Sequence, residues 1–219
     1  MTTDGLMKEV LPQKTYWGVD SASRISQETL QKLPRVPHFW MRYLNHTPGV
    51  CDGLTHEELT FALNHGIRVG LIDSGIAQQN LEVDNHFILP AVERIHAAID
   101  ALRITNMVTV YLDAEGNTVP NLGAINNWCN QSIIHGWIPG LYFNGKVLSH
   151  QKAATVVSQK RGQLWDCEPE YTSWEGLVIP FSQMEARTGV CLRQYQINQC
   201  EGTVDFNGCT DAAYKLMVH

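Results

Sequence analysis

The feature that most constrains the fold is a regular alternation of short apolar runs with longer amphipathic segments. Apolar runs of about five residues indicate buried strands, and apolar side chains that recur at a helical period indicate helices. Their alternation predicts repeated β-α units. Seven or eight strands and about six helices in 219 residues predict an α/β fold, a single irregular TIM-like β/α barrel near the lower size limit of that architecture.

Most elements can be placed from the pattern alone. The predicted strands are residues 16–20, 39–44, 68–73, 107–112, 138–143, 163–167, 190–196 and a short one at 204–206. The predicted helices are residues 26–33, 55–65, 88–104, 121–135 and 151–160. Thr55 and Glu58 predict a capping box, and Gly66 the C-terminal cap of the same helix. Residues 1–15 form an N-terminal extension to one barrel domain, residues 16–219.

Composition and charge exclude several classes of protein. The net charge is −6 and no basic run occurs, which argues against nucleic acid or an anionic membrane as a partner. No apolar stretch approaches the roughly 18 residues that a membrane span needs, so no membrane insertion is expected. The first ten residues contain no apolar core of a secretory signal.

The cysteines and histidines give no metal motif. No Cys-x-x-Cys, His-x-His or His-Glu-x-x-His spacing occurs, so we expect no metal and no other cofactor. Cys191, Cys200 and Cys209 lie close in sequence, and two states remain open: a disulfide formed after export, or reduced and partly buried thiols. The sequence also lacks a Gly-x-Ser-x-Gly elbow and a glycine-rich phosphate loop.

Acidic residues recur where predicted strands end. In a β/α barrel the active site lies at the carboxyl ends of the strands. Acidic residues that recur at these ends therefore predict a cluster of carboxyl groups at the active site. They are Asp20, Asp73, Asp113 with Glu115, and Asp166 with Glu168. For any one of them, a turn or cap role is the structural alternative.

Asp113 and Glu115 form the most informative pair. Residues two apart on a strand share a face, so both carboxyl groups project together. Proximity disfavours joint ionisation and leaves one group able to give a proton near neutrality. A proton donor beside a charged carboxylate is the chemistry that glycoside hydrolysis requires.

The order of several motifs resembles family 25 glycoside hydrolases, the lysozyme-type N-acetylmuramidases. The motifs are Gly-Val-Asp-Ser after Trp17, Asp-Ala-Glu ending at Glu115, Gly-Leu-Tyr ending at Tyr142, Leu-Trp ending at Trp165, Gln-Tyr-Gln from Gln194, and Val-Asp-Phe-Asn ending at Asn207. The middle of the chain is similar to the glycoside-hydrolase-like domains of uncharacterised function that are related to that family. The resemblance spans about residues 16–208, and residues 71–75 and 166–168 depart from it.

This resemblance implies a barrel that cleaves the β-1,4 bond after N-acetylmuramic acid in peptidoglycan. Glu115 would be the general acid. Asp113 would be a charged partner that stabilises the oxocarbenium-like transition state or orients the substrate acetamido group. Asp20 and Asp205 would line the same cleft.

Further residues are candidates for substrate binding. Tyr142, Trp165, Trp174 and Tyr195 could stack against sugar rings, whereas Trp17, Trp40, Trp128 and Trp137 are predicted to be core. Asp73 and Arg42 end neighbouring predicted strands. Arg42 could bind an anionic substrate group or neutralise the acidic cleft as a structural residue.

The expected function is therefore that of an antibacterial hydrolase whose partner is a peptidoglycan glycan strand. Two routes to the cell wall fit a chain without a signal: a phage endolysin released by a holin, or an effector delivered by a secretion apparatus, with an immunity or delivery protein as a further partner. The alternatives are a hydrolase of another glycan, an inactive glycan-binding barrel, and a metal-dependent amidase or deacetylase.

Overall fold

A computed structural model describes residues 14–49, 51–74, 87–116, 120–167, 190–202 and 204–219. Its strands are β1 (Thr15–Ser21), β2 (Phe39–Tyr43), β3 (Arg68–Asp73), β4 (Thr109–Ala114), β5 (Ile138–Phe143), β6 (Gln163–Asp166), β7 (Val190–Asn198) and β8 (Val204–Thr210). The helices in these ranges are α1 (Gln27–Lys32), α2 (His56–Asn64), α3 (Ile88–Ala101), α4 (Leu122–Ile134), α5 (Leu148–Gln159), α6 (Gln199–Gly202) and α7 (Asp211–Lys215).

The eight strands close into one barrel in chain order, which confirms the predicted α/β barrel. Strands β1 to β7 run parallel, and β8 is antiparallel to both of its neighbours, β7 and β1. Residues 199–203 alone join β7 to β8, and so short a connection permits a hairpin but no parallel crossover. The start of β8 therefore lies at the same end of the barrel as the carboxyl ends of the other strands.

The start of α2 departs from the sequence prediction. The Thr55 side chain accepts a hydrogen bond from the Glu58 N–H at 3.2 Å, as a cap should. The Glu58 carboxylate does not complete the capping box, because it binds Arg42 and the Ile25 N–H instead. Gly66 follows the helix with φ of +73°, which confirms its predicted role as C-terminal cap.

Two helix boundaries also differ from the prediction. Helix α5 begins at Leu148, three residues early, because it has no side-chain cap that the sequence could reveal. Helix α3 ends at Ala101 rather than near residue 104.

The strands sort their side chains onto two faces. Residues facing the helices form the larger apolar cluster, while Tyr111, Tyr142 and Trp165 belong to a second cluster inside the barrel. All four tryptophans predicted to be core are at most 4% exposed, which confirms that expectation: Trp17, Trp40, Trp128 and Trp137. The inward positions fill the barrel with aromatic rings, so a cleft can open only above them.

None of the six cysteines, all within the described ranges, forms a disulfide. No helix in those ranges is both long and apolar enough to cross a membrane. The expected extension lies almost wholly outside the described residues, and β1 begins at Thr15.

Candidate active site

A cavity of about 580 Å³ opens at the carboxyl end of the parallel strands. Three acidic residues line it: Asp20, Glu115 and Asp205. Its other polar lining includes Tyr43, Tyr142, Asn144, Cys167, Gln194 and Asn198. The volume falls within the range of small-molecule sites, roughly 300–1,000 Å³.

The barrel topology brings the acids together. Asp20 is next to last in β1, Asp113 is next to last in β4, and Glu115 follows that strand directly. Asp205 reaches the same end because it lies near the start of the antiparallel β8, where it pairs with Asp20. The structure thus gathers all four predicted catalytic residues at one end of the barrel.

Asp113 and Glu115 differ in exposure. Asp113 is 8% exposed; the Tyr43 hydroxyl donates to its Oδ2 at 3.4 Å, and the Glu115 N–H donates to its Oδ1 at 3.4 Å. Glu115 is exposed at the cavity, which the side chains of Tyr142 and Cys167 also line. Glu115 is therefore the member of the pair that a ligand meets.

Burial first, and then the charge of Glu115, raise the pKa of Asp113 to about 7. Burial also raises the pKa of Glu115, against the opposing effect of the neighbouring Tyr142 and Cys167 side chains. The sequence-based role of Asp113 as a permanently charged partner does not fit this environment. In the free protein the two groups titrate as a pair, with the deeper Asp113 able to hold the proton near neutrality.

Asp20 and Asp205 each have distinct hydrogen-bond partners. Asn207 Nδ2 donates a short bond to Asp20 Oδ1, and Asn207 Oδ1 accepts from Trp165 Nε1 at 3.0 Å. Asp205 accepts from Gln194 Nε2 at 2.7 Å and from the Asn198 N–H at 2.6 Å. Burial and the neighbouring Asp205 raise the pKa of Asp20 well above its ordinary value, and burial raises that of Asp205.

Arg42 does not reach the cavity. It faces the helices, is fully buried, and donates from Nε to Glu58 Oε1 at 2.7 Å. Its Nη1 donates to the carbonyls of Ser21 and Ala22 at 2.8 and 3.0 Å. The expected substrate contact is thus replaced by a structural role, because the next residue, Tyr43, takes the inward position.

Asp73 and Asp166 also point away from the cavity. Both are fully buried on the helix-facing side of their strands. Asp73 accepts from Asn45 Nδ2 at 3.2 Å, and Asp166 accepts from the Gly145 N–H at 2.9 Å. The charge of Asp73 helps to raise the pKa of Asp113.

The aromatic residues that were predicted to stack against sugar rings also divide between the cavity and the buried interior. Tyr142 lines the cavity, and Trp165 lies against it with ring centroids 4.0 Å apart. Trp165 is fully buried, so it supports Tyr142 and Asn207 and offers no open face to a sugar. Tyr195 is fully buried among the helix-facing residues. Trp174 and Glu168 lie outside the described residues.

Sequence reasoning missed several residues of the site. Gln194 and Asn207 stand inside motifs that the resemblance quoted, yet their roles follow from the β7–β8 pairing. Tyr43 and Cys167 could have been found from the two-residue period, which puts Tyr43 on the inward face at the end of β2 and Cys167 on the inward face just after β6. Among the described side chains, no group of three His, Cys, Asp or Glu residues is arranged to hold a metal ion.

No model of a known protein family matches the chain, and no curated protein shows significant similarity to it. Solved structures do match. An uncharacterized B. stearothermophilus protein superposes with a TM-score of 0.76 at 22% identity, covering 92% of this chain and 99% of the other. The Tat-secreted Mycobacterium tuberculosis protein Rv2525c gives 0.62 at 15%, covering 88% and 93%.

A phage protein shares the fold at greater distance. The catalytic domain of the endolysin Ply40, from a bacteriophage of Listeria monocytogenes, gives a TM-score of 0.51 at 12% identity, covering 92% of this chain and 96% of that domain. At such identities these matches show a common fold over nearly the whole chain.

Proposed function

We propose that this chain is a peptidoglycan-cleaving glycoside hydrolase of the lysozyme-like N-acetylmuramidase type. One observation carries the proposal: three carboxyl groups line one cavity at the carboxyl end of the barrel, and a fourth, Asp113, lies buried beside Glu115 on the same Asp-x-Glu strand end. Glycoside hydrolysis needs a protonated carboxyl at the leaving oxygen and negative charge near the anomeric carbon.

Glu115 is the proposed general acid because it is the member of its pair that opens to the cavity. A bound sugar would exclude water and favour the neutral form of Glu115 further. The proton shared with Asp113 would then pass to the glycosidic oxygen through Glu115. Asp113, which accepts from the Tyr43 hydroxyl and the Glu115 N–H, would then be left with a negative charge near the developing cation.

The cavity lining suits an uncharged stretch of glycan. Tyr142 offers an aromatic surface, and the side-chain amides of Asn144 and Gln194 offer hydrogen bonds. No Lys, Arg or His lines the cavity among the residues that the structure describes. In intact peptidoglycan the muramic carboxyl group is joined to the peptide as an amide, so the glycan strand brings no charge to the acids.

The fold comparison is compatible with this proposal. An endolysin catalytic domain has the same fold, and the order of motifs resembles a muramidase family. The proposed partner is accordingly the peptidoglycan glycan strand.

The test is the turnover of purified peptidoglycan by wild type and by Glu115→Gln, with Asp100→Asn on the exposed side of α3 as the matched control. Loss of the general acid should lower the rate by about 100-fold or more. The control should keep the wild-type rate. Near-wild-type turnover in Glu115→Gln, at unchanged thermal stability, would refute the assignment.

A further inference from the structure

Asp20 and Asp205 form a second carboxyl pair, separate from the one on β4. They are direct partners across the antiparallel β1–β8 pair, and both side chains line the cavity. Side chains of directly opposed residues lie within about 5.5 Å at Cβ, and like charges there repel. Two carboxylates at this separation favour sharing one proton over joint ionisation.

The hydrogen bonds identify which member holds the charge. Asp205 receives two short bonds, one on each oxygen: Gln194 Nε2 on Oδ2 at 2.7 Å and the Asn198 N–H on Oδ1 at 2.6 Å. The Asn198 donor is a backbone N–H, whose direction cannot reverse. Two donors of this kind stabilise the ionised form of a carboxyl group.

Asp20 has a different environment. The Trp165 indole N–H can only donate, so it fixes the carbonyl of Asn207 toward itself and the amide N–H₂ toward Asp20. Asn207 donates to Asp20 Oδ1, which leaves Oδ2 as the oxygen that can carry a proton. Asn207 is fully buried, so this arrangement is held in place.

The remaining groups around Asp20 strengthen its hold on the proton. The carboxyl pair of Glu115 and Asp113 at the end of β4 acts on Asp20 with its negative charge. The other titratable groups facing the cavity are the neutral hydroxyls of Tyr43 and Tyr142 and the Cys167 thiol, whose pKa values burial raises. No cationic side chain lines the cavity within the described ranges.

We propose that Asp20 and Asp205 share one proton, carried by Asp20, and that Asp20 donates this proton in a hydrogen bond to a carbonyl oxygen of the ligand, such as that of an N-acetyl group. Asp205, Gln194 and Asn207 are then positioning residues that set the protonation of Asp20. The choice of an N-acetylated sugar as ligand rests on the proposed function; the shared proton does not.

Carboxyl ¹³C titration of labelled aspartates in wild type and Asp205→Asn tests the shared proton without any substrate. In wild type the midpoint of Asp20 should lie more than one pH unit above the ordinary value of about 3.9. In Asp205→Asn it should fall toward that value. An ordinary midpoint in wild type, or an elevated midpoint that Asp205→Asn leaves unchanged, would overturn the proposal.

Gln194→Met provides a second variant if Asp205→Asn fails to fold. Loss of the amide donor should move the proton toward Asp205, so the midpoint of Asp205 rises and that of Asp20 falls. Unchanged midpoints for both groups would contradict the assignment of the charge to Asp205. Asp100→Asn, remote on α3, is the control for nonspecific shifts.

Binding of N-acetylated chitotriose at pH values below and above the Asp20 midpoint tests the donor. Wild type should bind about tenfold more weakly above it, the equivalent of one good hydrogen bond. Asp20→Asn should remove this pH dependence, because its amide donates at both values. Binding that is absent, or independent of pH in wild type, would overturn the donor role. Normal titrations without peptidoglycan cleavage would refute the proposed function alone.

Discussion

Asp113 is a buried carboxyl group that destabilises the fold when it ionises. Its pKa is about 7 in the folded protein, because of burial and the charge of Glu115, against an ordinary value of about 3.9. The folded state therefore binds more protons than the unfolded chain between these values. The stability that the neutral Asp113 contributes is fully present below about pH 4 and is lost as pH rises through about 7.

Replacement of Asp113 by asparagine should reverse this loss. Asp113→Asn should gain stability relative to wild type between pH 4.5 and pH 8 by about 3 kcal/mol, because the wild-type loss over this window corresponds to a little over two pKa units. Urea unfolding at both pH values measures the gain. In Asp113→Asn an amide faces the Glu115 N–H donor, at a cost in stability that does not depend on pH. Taking the difference between the stabilities at the two pH values removes this cost.

The control for this measurement is Asp100→Asn, whose side chain is 69% exposed. It should show nearly the same difference from wild type at both pH values. An Asp113→Asn variant that tracks wild type from pH 4.5 to pH 8 would show that Asp113 has an ordinary pKa.

At the scale of elements, the Arg42–Glu58 pair joins β2, α2 and the loop after β1. Arg42 binds the carbonyls of Ser21 and Ala22, and both of these residues line the cavity. Glu58 also accepts from the Ile25 N–H at 2.8 Å. Arg42 was a candidate for substrate binding and Glu58 was expected to complete a helix cap. Together they instead hold the cavity wall in place.

Glu58→Gln should lower the free energy of unfolding by about 3–5 kcal/mol, because it leaves the Arg42 charge buried without its partner. Denaturant unfolding measures the loss. Glu57→Gln, exposed on the same helix turn, should change stability by less than about 0.5 kcal/mol. Equal effects of the two variants would contradict the structural role of the pair.

The sequence predicted all eight strands because their apolar runs are short and clearly bounded. It did not predict the antiparallel direction of β8, which depends on the few residues that join it to β7. It also did not predict the start of α5, where no side-chain cap marks the helix. The direction of a strand and the start of a helix without a side-chain cap depend on tertiary contacts, which a local sequence pattern does not contain.

For the whole molecule, the sequence was enough to predict that the site lies at the strand ends. It was not enough to predict whether each side chain there points into the barrel or toward the helices. Asp20, Asp113, Glu115 and Asp205 gather as expected, because the barrel brings these strand ends together. Arg42, Asp73 and Tyr195 fall on the helix-facing side. A shift of one residue along a strand reverses the face, so predictions at strand ends are sensitive to register.

The acidic cavity should discriminate between substrates by charge. Peptidoglycan stripped of its peptides exposes free muramic carboxylates, which the acids at the cavity would repel. Wild type should therefore cleave stripped glycan more slowly than intact glycan at low salt. The difference should shrink at 1 M salt, where the screening length is about 3 Å.

Initial rates on both polymers at two salt concentrations measure this effect. A ratio of rates that does not change with salt would contradict electrostatic selection by the cavity.

Product analysis after incubation of wild type with purified peptidoglycan directly tests whether the protein is a muramidase. Borohydride reduction followed by mass spectrometry identifies the sugar at each new reducing end. We expect soluble disaccharide-peptides that end in reduced muramic acid and are absent with Glu115→Gln. No soluble product, reducing ends of glucosamine only, or the same products from Glu115→Gln would contradict it.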